Sequence, residues 1–168
     1  MKLRRLTLAD KAAIVEMIGE FRSVNSPTDG FFGGEDFDYE NWLESNAATE
    51  IGLGLPTGFV PYIQDVFFDN SNRALGFLNL RLRLNDKLLQ HGGHIGYSIR
   101  PSERGKGYAK EQLRLGLLEA RSKNISRVLV TCHVDNEASR RTILSQGGQL
   151  ENRVGETERY WINLERVK

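Results

Sequence analysis

Apolar residues recur at two spacings along the chain, and these spacings predict both strands and helices. Over 74–84 they alternate with other residues at a period of two, which is typical of a strand with one buried face: Leu78, Leu80, Leu82 and Leu84. The other face, with Asn79, Arg81 and Arg83, is expected to be exposed or to border a cleft. Over 107–123 the spacing is that of a helix, with one apolar side: Ala109, Leu113, Leu117 and Ala120.

The same patterns predict seven strands and four helices over the whole chain. We expect strands at 2–8, 60–68, 74–84, 94–100 and 127–134, and a terminal hairpin of 149–153 and 159–164. Helices are expected at 11–21, 36–48, 107–123 and 136–146, and glycine- or proline-rich loops at 25–35 and 51–58. This order indicates one α/β (α+β) domain spanning 1–168, with a mostly antiparallel sheet of six to seven strands and helices on its faces.

Composition narrows the class of protein. The 168 residues favour one domain, and 23 Lys and Arg nearly balance 22 Asp and Glu, so a protein that mainly coats nucleic acid is not expected. Cys132 is the one cysteine, which excludes an intrachain disulfide and suits a reducing cytoplasm. No apolar run approaches the roughly 20 residues of a membrane-spanning helix. We therefore expect a cytoplasmic protein without a membrane partner.

The segment that most clearly indicates a binding site is the turn Arg104-Gly105-Lys106-Gly107, between the strand at 94–100 and the helix at 107–123. Its glycines allow close approach of a ligand to the main chain, and the helix directs unpaired N–H groups and its positive dipole end at the turn. With two cations beside it, this turn predicts a phosphate or pyrophosphate site. The Rossmann and Walker patterns both fail, because Lys110 stands where the former needs glycine or alanine and Gly107 follows Lys106.

The turn resembles a known family signature. Arg104-x-x-Gly107-x-Ala109 is similar to the Arg/Gln-x-x-Gly-x-Gly/Ala motif of the GNAT superfamily of N-acetyltransferases. The segment 94–101 resembles the fourth strand of that family, 128–132 its fifth strand, and 135–139 the start of its following helix. The resemblance is specific over 94–164 and generic over the first ninety residues.

The resemblance implies a mixed sheet whose fourth and fifth strands splay apart, with acetyl-CoA as co-substrate in the splay. No metal is expected, because no carboxylate or cysteine pattern completes a site with the three histidines, His91, His94 and His133. The resemblance implies main-chain contacts to the pantetheine arm from Tyr97, Ser98 and Ile99. It implies a pyrophosphate site on Arg104, Gly105, Lys106, Gly107, Tyr108 and Ala109. It also implies cofactor contacts from Asn136 and Ser139.

The implied reaction is direct transfer of an acetyl group to a primary amine, on a small molecule or an exposed amino group. His94 stands where the family often has a glutamate, so it is a candidate general base. Alternatively, it is a polar residue that covers the end of a strand. The family often has a tyrosine acid at the position of Ile143. Tyr160 is our first substitute, although it could simply pack beside Trp161, and Tyr97 and Tyr108 are others. Water could also protonate the thiolate.

Other interpretations stay open. A non-catalytic sensor that binds CoA or acetyl-CoA is the main alternative, whereas a general nucleotide-phosphate binder is disfavoured by the failed motifs. We interpret Cys132 as buried packing, and the pair Arg81 and Arg83 as a solvated strand face that could otherwise attract an acidic acceptor. The acceptor is not named by the sequence, and the oligomeric state is open, a homodimer being one option.

Overall fold

The computed structural model describes residues 1–34 and 36–166; Glu35, the last residue of the predicted loop 25–35, lies outside the described residues. The helices are α1 (Lys11–Ser23), α2 (Tyr39–Glu50), α3 (Asp86–Gln90), α4 (Tyr108–Ser122) and α5 (Glu137–Ser145). The strands are β1 (Lys2–Arg4), β2 (Tyr62–Phe68), β3 (Ala74–Arg81), β4 (Ile95–Ile99), β5 (Arg127–His133), β6 (Gln149–Val154) and β7 (Thr157–Asn163). Short 3-10 turns lie at Leu8–Asp10, Pro101–Glu103 and Leu164–Arg166.

The strands form two antiparallel sheets. The first has the order β1-β2-β3-β4 and the second the order β5-β7-β6. In the described part of the chain, an isolated bridge between Gly93 and Val130 is the main-chain pairing that joins them, just before β4 begins. Beyond this bridge β4 and β5 diverge. The predicted fold class, with the fourth and fifth strands splayed apart, is confirmed.

Helices cover both faces of the first sheet, so β2 and β3 are buried on both sides. α1 and α2 cover one face, in a cluster that includes Ile14, Met17, Phe21, Val66 and Phe77. α4 covers the other, where Leu113, Leu117 and Ala120 are fully buried, as the helical spacing predicts. Gly116 lets α4 approach closely, since a Cβ there would lie 2.7 Å from Leu78 Cδ1.

The face of β3 that carries Asn79 was expected to be exposed or to border a cleft, and this prediction is wrong for its first half. Phe77 and Asn79 are fully buried, because the loop after α1 lies over this face and the Phe31 ring stacks on Phe77 at 4.5 Å between centroids. The strand ends at Arg81, three residues earlier than predicted. Arg81 is half-buried, whereas Arg83 is exposed. Arg81 and Arg83 therefore do not share one solvated face.

The connection predicted at 85–93 contains the unpredicted helix α3. Asn85 begins it by accepting a hydrogen bond from the Leu88 amide on its side chain, at 2.9 Å. Its five residues are too few to show a helical period in the sequence. None of the helices in the described residues is long and apolar enough to span a membrane.

A buried carboxyl group, Asp65, lies in β2 beneath Arg5. Its side chain is fully buried, and within the described residues neither carboxyl oxygen has a hydrogen-bond partner. Arg5 Nη1 lies 3.6 Å from Asp65, but it is closer to Glu119, at 2.5 Å, and Arg5 Nη2 binds Glu50 at 2.7 Å. Burial, opposed by Arg5, raises the pKa of Asp65 to about 7.

Candidate functional site

Within the described residues, the edge of β4 that faces the splay pairs with no other strand. Leu75 O accepts a hydrogen bond from the Arg100 N–H, and His94 O accepts one from the Arg81 N–H, so these pairs face β3. Successive residues of an antiparallel strand direct their main-chain groups to opposite sides. The groups of Tyr97 and Ile99 therefore face the splay, along an edge about 14 Å long for the five residues of β4.

A cavity of about 700 Å³ fills the splay. One wall is the loop 26–32, the second is β4 from Ile95 to Ile99, and the third comes from β5 and α5. Among the predicted cofactor residues, those lining it are Tyr97, Ser98, Ile99, Arg104, Ala109, Asn136 and Ser139. The structure thus brings these seven residues to one cavity.

The glycine-rich turn lies at one end of this cavity. Gly105 has φ +77° and Gly107 has φ +83°, and a Cβ at either would meet open space. Gly107 caps α4 in the left-handed conformation, so the first amides of the helix point outward beside it. Tyr108 packs against Phe67, with ring centroids 6.4 Å apart, and fixes the first turn of the helix.

The two cations of the turn have different partners. Arg104 Nε donates to Ile99 O at 2.9 Å, and its Nη2 donates to Ser26 Oγ at 2.8 Å, so this side chain joins the loop 26–32 to β4. Lys106 Nζ is half-exposed and donates to Glu103 at 2.7 Å. Of the two, Arg104 lines the cavity, and Lys106 contributes charge at the outer side of the turn.

An ion-pair network centred on the buried Arg100 holds the turn to α1, and the sequence gives no local signal for it. The Arg100 side chain is fully buried and binds Glu16 and Glu20. Glu20 also accepts hydrogen bonds from the Ser102 N–H and hydroxyl, at 2.9 and 2.7 Å. Burial opposes ionisation of Glu20, but the bonds from Arg100 and Ser102 outweigh it and lower its pKa to about 2.

The start of α5 forms the opposite wall. Asn136 caps the helix by accepting a hydrogen bond from the Ser139 N–H at 3.1 Å. The Tyr97 hydroxyl lies 3.0 Å from Ser139 Oγ, so one contact spans the splay from β4 to α5. Burial raises the pKa of Tyr97 to about 12, which keeps the phenol neutral at physiological pH.

The structure places His94 and Tyr160 away from the lining of the cavity. His94 is buried between the sheets: its N–H donates to Leu129 O at 2.8 Å, and its Nδ1 accepts from the Leu129 N–H at 2.9 Å. Burial, with the positive charge of Arg81, lowers the pKa of His94 to about 4. Tyr160 is buried in the core among aliphatic side chains, and burial raises its pKa.

Two charged residues outside the predicted catalytic and cofactor-binding sets line the cavity; the sequence offered Arg81 as an alternative contact for an acidic acceptor and did not single out Asp29. Asp29 lies on the loop 26–32, and Arg81 reaches the cavity from the end of β3. Partial burial of the carboxyl raises the pKa of Asp29, although the residue as a whole is exposed, and Arg81 and Arg104 oppose the rise. The local signal for Asp29 is only the turn dipeptide Asp29-Gly30.

Cys132 also lines the cavity, where its side chain is mostly buried. Burial, and then the nearby Glu158, raise the pKa of its thiol to about 11, so the thiol is neutral and a poor nucleophile. Nowhere in residues 1–34 and 36–166 do three or more His, Cys, Asp or Glu side chains cluster as metal ligands would.

Comparison with known proteins identifies the family. Residues 1–149 match the model of the acetyltransferase (GNAT) domain. A ribosomal-protein-S5-alanine acetyltransferase from Vibrio fischeri is 17% identical over 99% of this chain and 94% of its own, with a TM-score of 0.69. A chimera of the spermidine N-acetyltransferase SpeG from Vibrio cholerae and hSSAT is 17% identical over 99% of both chains, with a TM-score of 0.66.

A third structure, yncA from Salmonella typhimurium with its cofactor acetyl-CoA, is 20% identical over 98% of this chain and 94% of its own, with a TM-score of 0.63. At these identities the structures share the fold. No curated protein sequence matches the chain significantly. The family match covers most of the chain, and the splayed strands and glycine-rich turn lie where the resemblance implies. The chain therefore belongs to the acetyltransferase (GNAT) family.

Proposed function

We propose that the protein is an acetyl-CoA-dependent N-acetyltransferase that transfers an acetyl group directly to a primary amine, on a small molecule or an exposed amino group. One observation carries the proposal: the unpaired edge of β4 is continuous with the glycine-rich turn before α4. A free strand edge binds an extended amide-containing arm, and a helix N-terminus binds phosphate. Acetyl-CoA contains both groups. The family match and the acetyl-CoA-containing neighbour support this choice.

The residues around the cavity fit this co-substrate. Tyr97 and Ile99 offer main-chain groups to the pantetheine arm, and the Ser98 hydroxyl holds the opposing loop through Asp29 O, at 2.7 Å. Open space above Gly105 and Gly107 leaves their amides accessible to phosphate. The remaining contacts are assigned to Arg104, Lys106, Tyr108, Ala109, Asn136 and Ser139.

The chemistry needs few groups from the protein. Acetyl-CoA supplies an activated thioester when bound. The acceptor ammonium loses one proton before its nitrogen attacks, because a protonated amine has no free electron pair. As the C–N bond forms and the C–S bond breaks, a second proton passes from nitrogen to the departing sulfur. N–H groups on the edge of β4 are suited to stabilise the negative charge that grows on the carbonyl oxygen.

The catalytic roles of His94 and Tyr160 stay predictions, as do a cytoplasmic location and a homodimer. The geometry favours a structural role for His94. Because its Nδ1 accepts the Leu129 amide, the neutral ring carries its hydrogen on Nε2. A second proton on the ring would break the bond to Leu129.

His94→Ala is expected to lower the free energy of unfolding by about 1–3 kcal/mol, since the Leu129 N–H loses its buried partner. We expect the pH–rate profile of the folded variant to keep its shape. Urea unfolding and steady-state rates between pH 6 and 9 measure both quantities. Loss of the acidic limb of the profile would assign the base to His94 instead.

The proposed function is tested by mixing the protein with acetyl-CoA and a panel of primary amines while free thiol is monitored. Thiol release that depends on the amine, with the N-acetylated product seen by mass spectrometry, is the expected result. Calorimetry with CoA runs in parallel. Tight binding of CoA with no thiol release across a broad panel would contradict the enzyme and favour the sensor module.

A further inference from the structure

The charges that line the cavity are few and of both signs. Of the described residues that line it, Asp29 carries the one carboxylate, and Arg81 and Arg104 carry the two guanidinium groups. Arg104 lies at the end nearest the glycine-rich turn, where phosphate is expected. Arg81 lies at the far end of β4, beside Gly92 and Gly93. Asp29 lies between them on the covering loop.

Asp29 is held firmly against β4. Its carbonyl accepts the Ser98 hydroxyl at 2.7 Å, and the next residue, Gly30, packs on the main chain of Gly96. A Cβ at Gly30 would lie 2.6 Å from Gly96 O, and its φ of +81° favours glycine. Gln64 donates to Gly30 O at 2.8 Å from beneath. The loop therefore fixes the Asp29 main chain over the middle of the open strand, and the described residues offer its carboxylate no hydrogen bond.

Arg81 is held in a similar way from the other side. Its Nη1 donates to Gly92 O at 3.1 Å, and its Nη2 lies 3.2 Å from where a Cβ of Gly96 would be. The guanidinium thus lies over Gly96, with its carbon 5.9 Å from the centre of the Phe32 ring. Within the described residues its Nε and Nη2 have no hydrogen-bond partner, although Arg81 is half-buried. These donors suit a carboxylate, which accepts two parallel bonds from a guanidinium.

We propose that the acetyl acceptor is a small amine that also carries a carboxylate, with Asp29 binding its ammonium group and Arg81 binding its carboxylate. This inference rests on the proposed function and names the acceptor class of the same cavity. Opposite charges beside Gly96 recognise the two ends of a zwitterion. A polyamine fits less well, because two guanidinium groups and one carboxylate give these lining side chains a net positive charge.

The test compares matched acceptors that differ in the carboxylate. The pairs are 4-aminobutanoate with 4-aminobutanamide and L-leucine with L-leucinamide, and spermidine represents the polyamines. Rates are expressed per free amine, and binding of each acceptor to the CoA-saturated protein is measured by calorimetry. We expect at least one carboxylate to exceed its amide about tenfold or more in both kcat/KM and affinity, and spermidine to be the poorest acceptor.

Variants locate the two contacts. Arg81→Gln is expected to remove most of the preference for the carboxylate while the amides change little, whereas Asp29→Asn weakens both members of a pair about equally. The ratio within a pair does not depend on the folded fraction, so it stays informative if a variant is less stable. Arg83→Gln and Asp86→Asn are the matched controls, since both side chains are exposed outside the cavity.

The outcomes separate this inference from the proposed function. If amides or spermidine are acetylated as well as the carboxylates or better, the acceptor class is wrong while acetyl transfer stands. If Arg81→Gln leaves the preference intact, Arg81 is not its source and the assignment is overturned. If CoA binds and no amine is acetylated, both the transfer reaction and its acceptor are overturned.

Discussion

Asp65→Asn is expected to stabilise the protein by up to about 4 kcal/mol at pH 8 and to change its stability little near pH 4. The pKa of Asp65 is about 7 in the folded protein, against an ordinary value of 3.8. A carboxyl whose pKa is raised by folding contributes most to stability below its unfolded pKa, and that contribution is lost as the pH rises through the folded value. A difference of about three units corresponds to about 4 kcal/mol.

The physical reason is the cost of ionising a carboxyl that lacks hydrogen bonds. Asparagine is neutral at every pH and nearly isosteric, and Arg5 keeps its ion pairs with Glu50 and Glu119. Urea unfolding at pH 4 and pH 8 measures the effect, with Asp86→Asn on the surface as the control. A gain of equal size at both pH values, or a loss at pH 8, would contradict the explanation.

Gly107→Val is expected to weaken CoA binding about 100-fold, or about 2.7 kcal/mol. Gly107 has φ +83° at the first position before α4, and a β-branched residue rarely adopts that conformation. The main chain must rotate to accept valine, which displaces the amides proposed to bind the pyrophosphate. Calorimetry with CoA measures the change.

Gly155→Val provides the matched control. Gly155 also has a positive φ, +60°, and open space around it, but it lies in the turn between β6 and β7, outside the cavity lining. Both substitutions impose comparable backbone strain, whereas only Gly107→Val is expected to change the affinity for CoA. Unchanged affinity in Gly107→Val, or an equal loss in both variants, would remove the turn from the proposed site.

Features made by neighbouring residues are predictable from this sequence. The glycine-rich turn, the amphipathic face of α4 and the order of the strands all depend on contiguous segments, so their periods and turn residues identify them. α3 is missed because a five-residue helix has no measurable period. The covered face of β3 is missed because Phe31, which stacks on Phe77, comes from a loop more than forty positions away.

The polar contacts of the site are less predictable, because they join residues that lie far apart in the chain. Arg100 is joined to Glu16 and Glu20 across 84 and 80 positions of the chain, and no local pattern pairs these residues. Arg81 belongs to a run of alternating residues that is typical of a solvated strand, yet its side chain bonds to Gly92 O and lines the cavity. A role that is transferred from a family pattern, such as that of His94, also depends on the direction in which the side chain points.

The division of the strands into an N-terminal sheet and a C-terminal sheet has a consequence for biosynthesis. The first sheet uses only residues up to Ile99, and the second uses only residues from Arg127 onward. Every strand of the first sheet therefore leaves the ribosome before any strand of the second does, and N-terminal units fold first during synthesis. The nascent chain can complete β1 to β4 early, and only the later arrival of β5 converts the bare edge of β4 into one wall of a cavity.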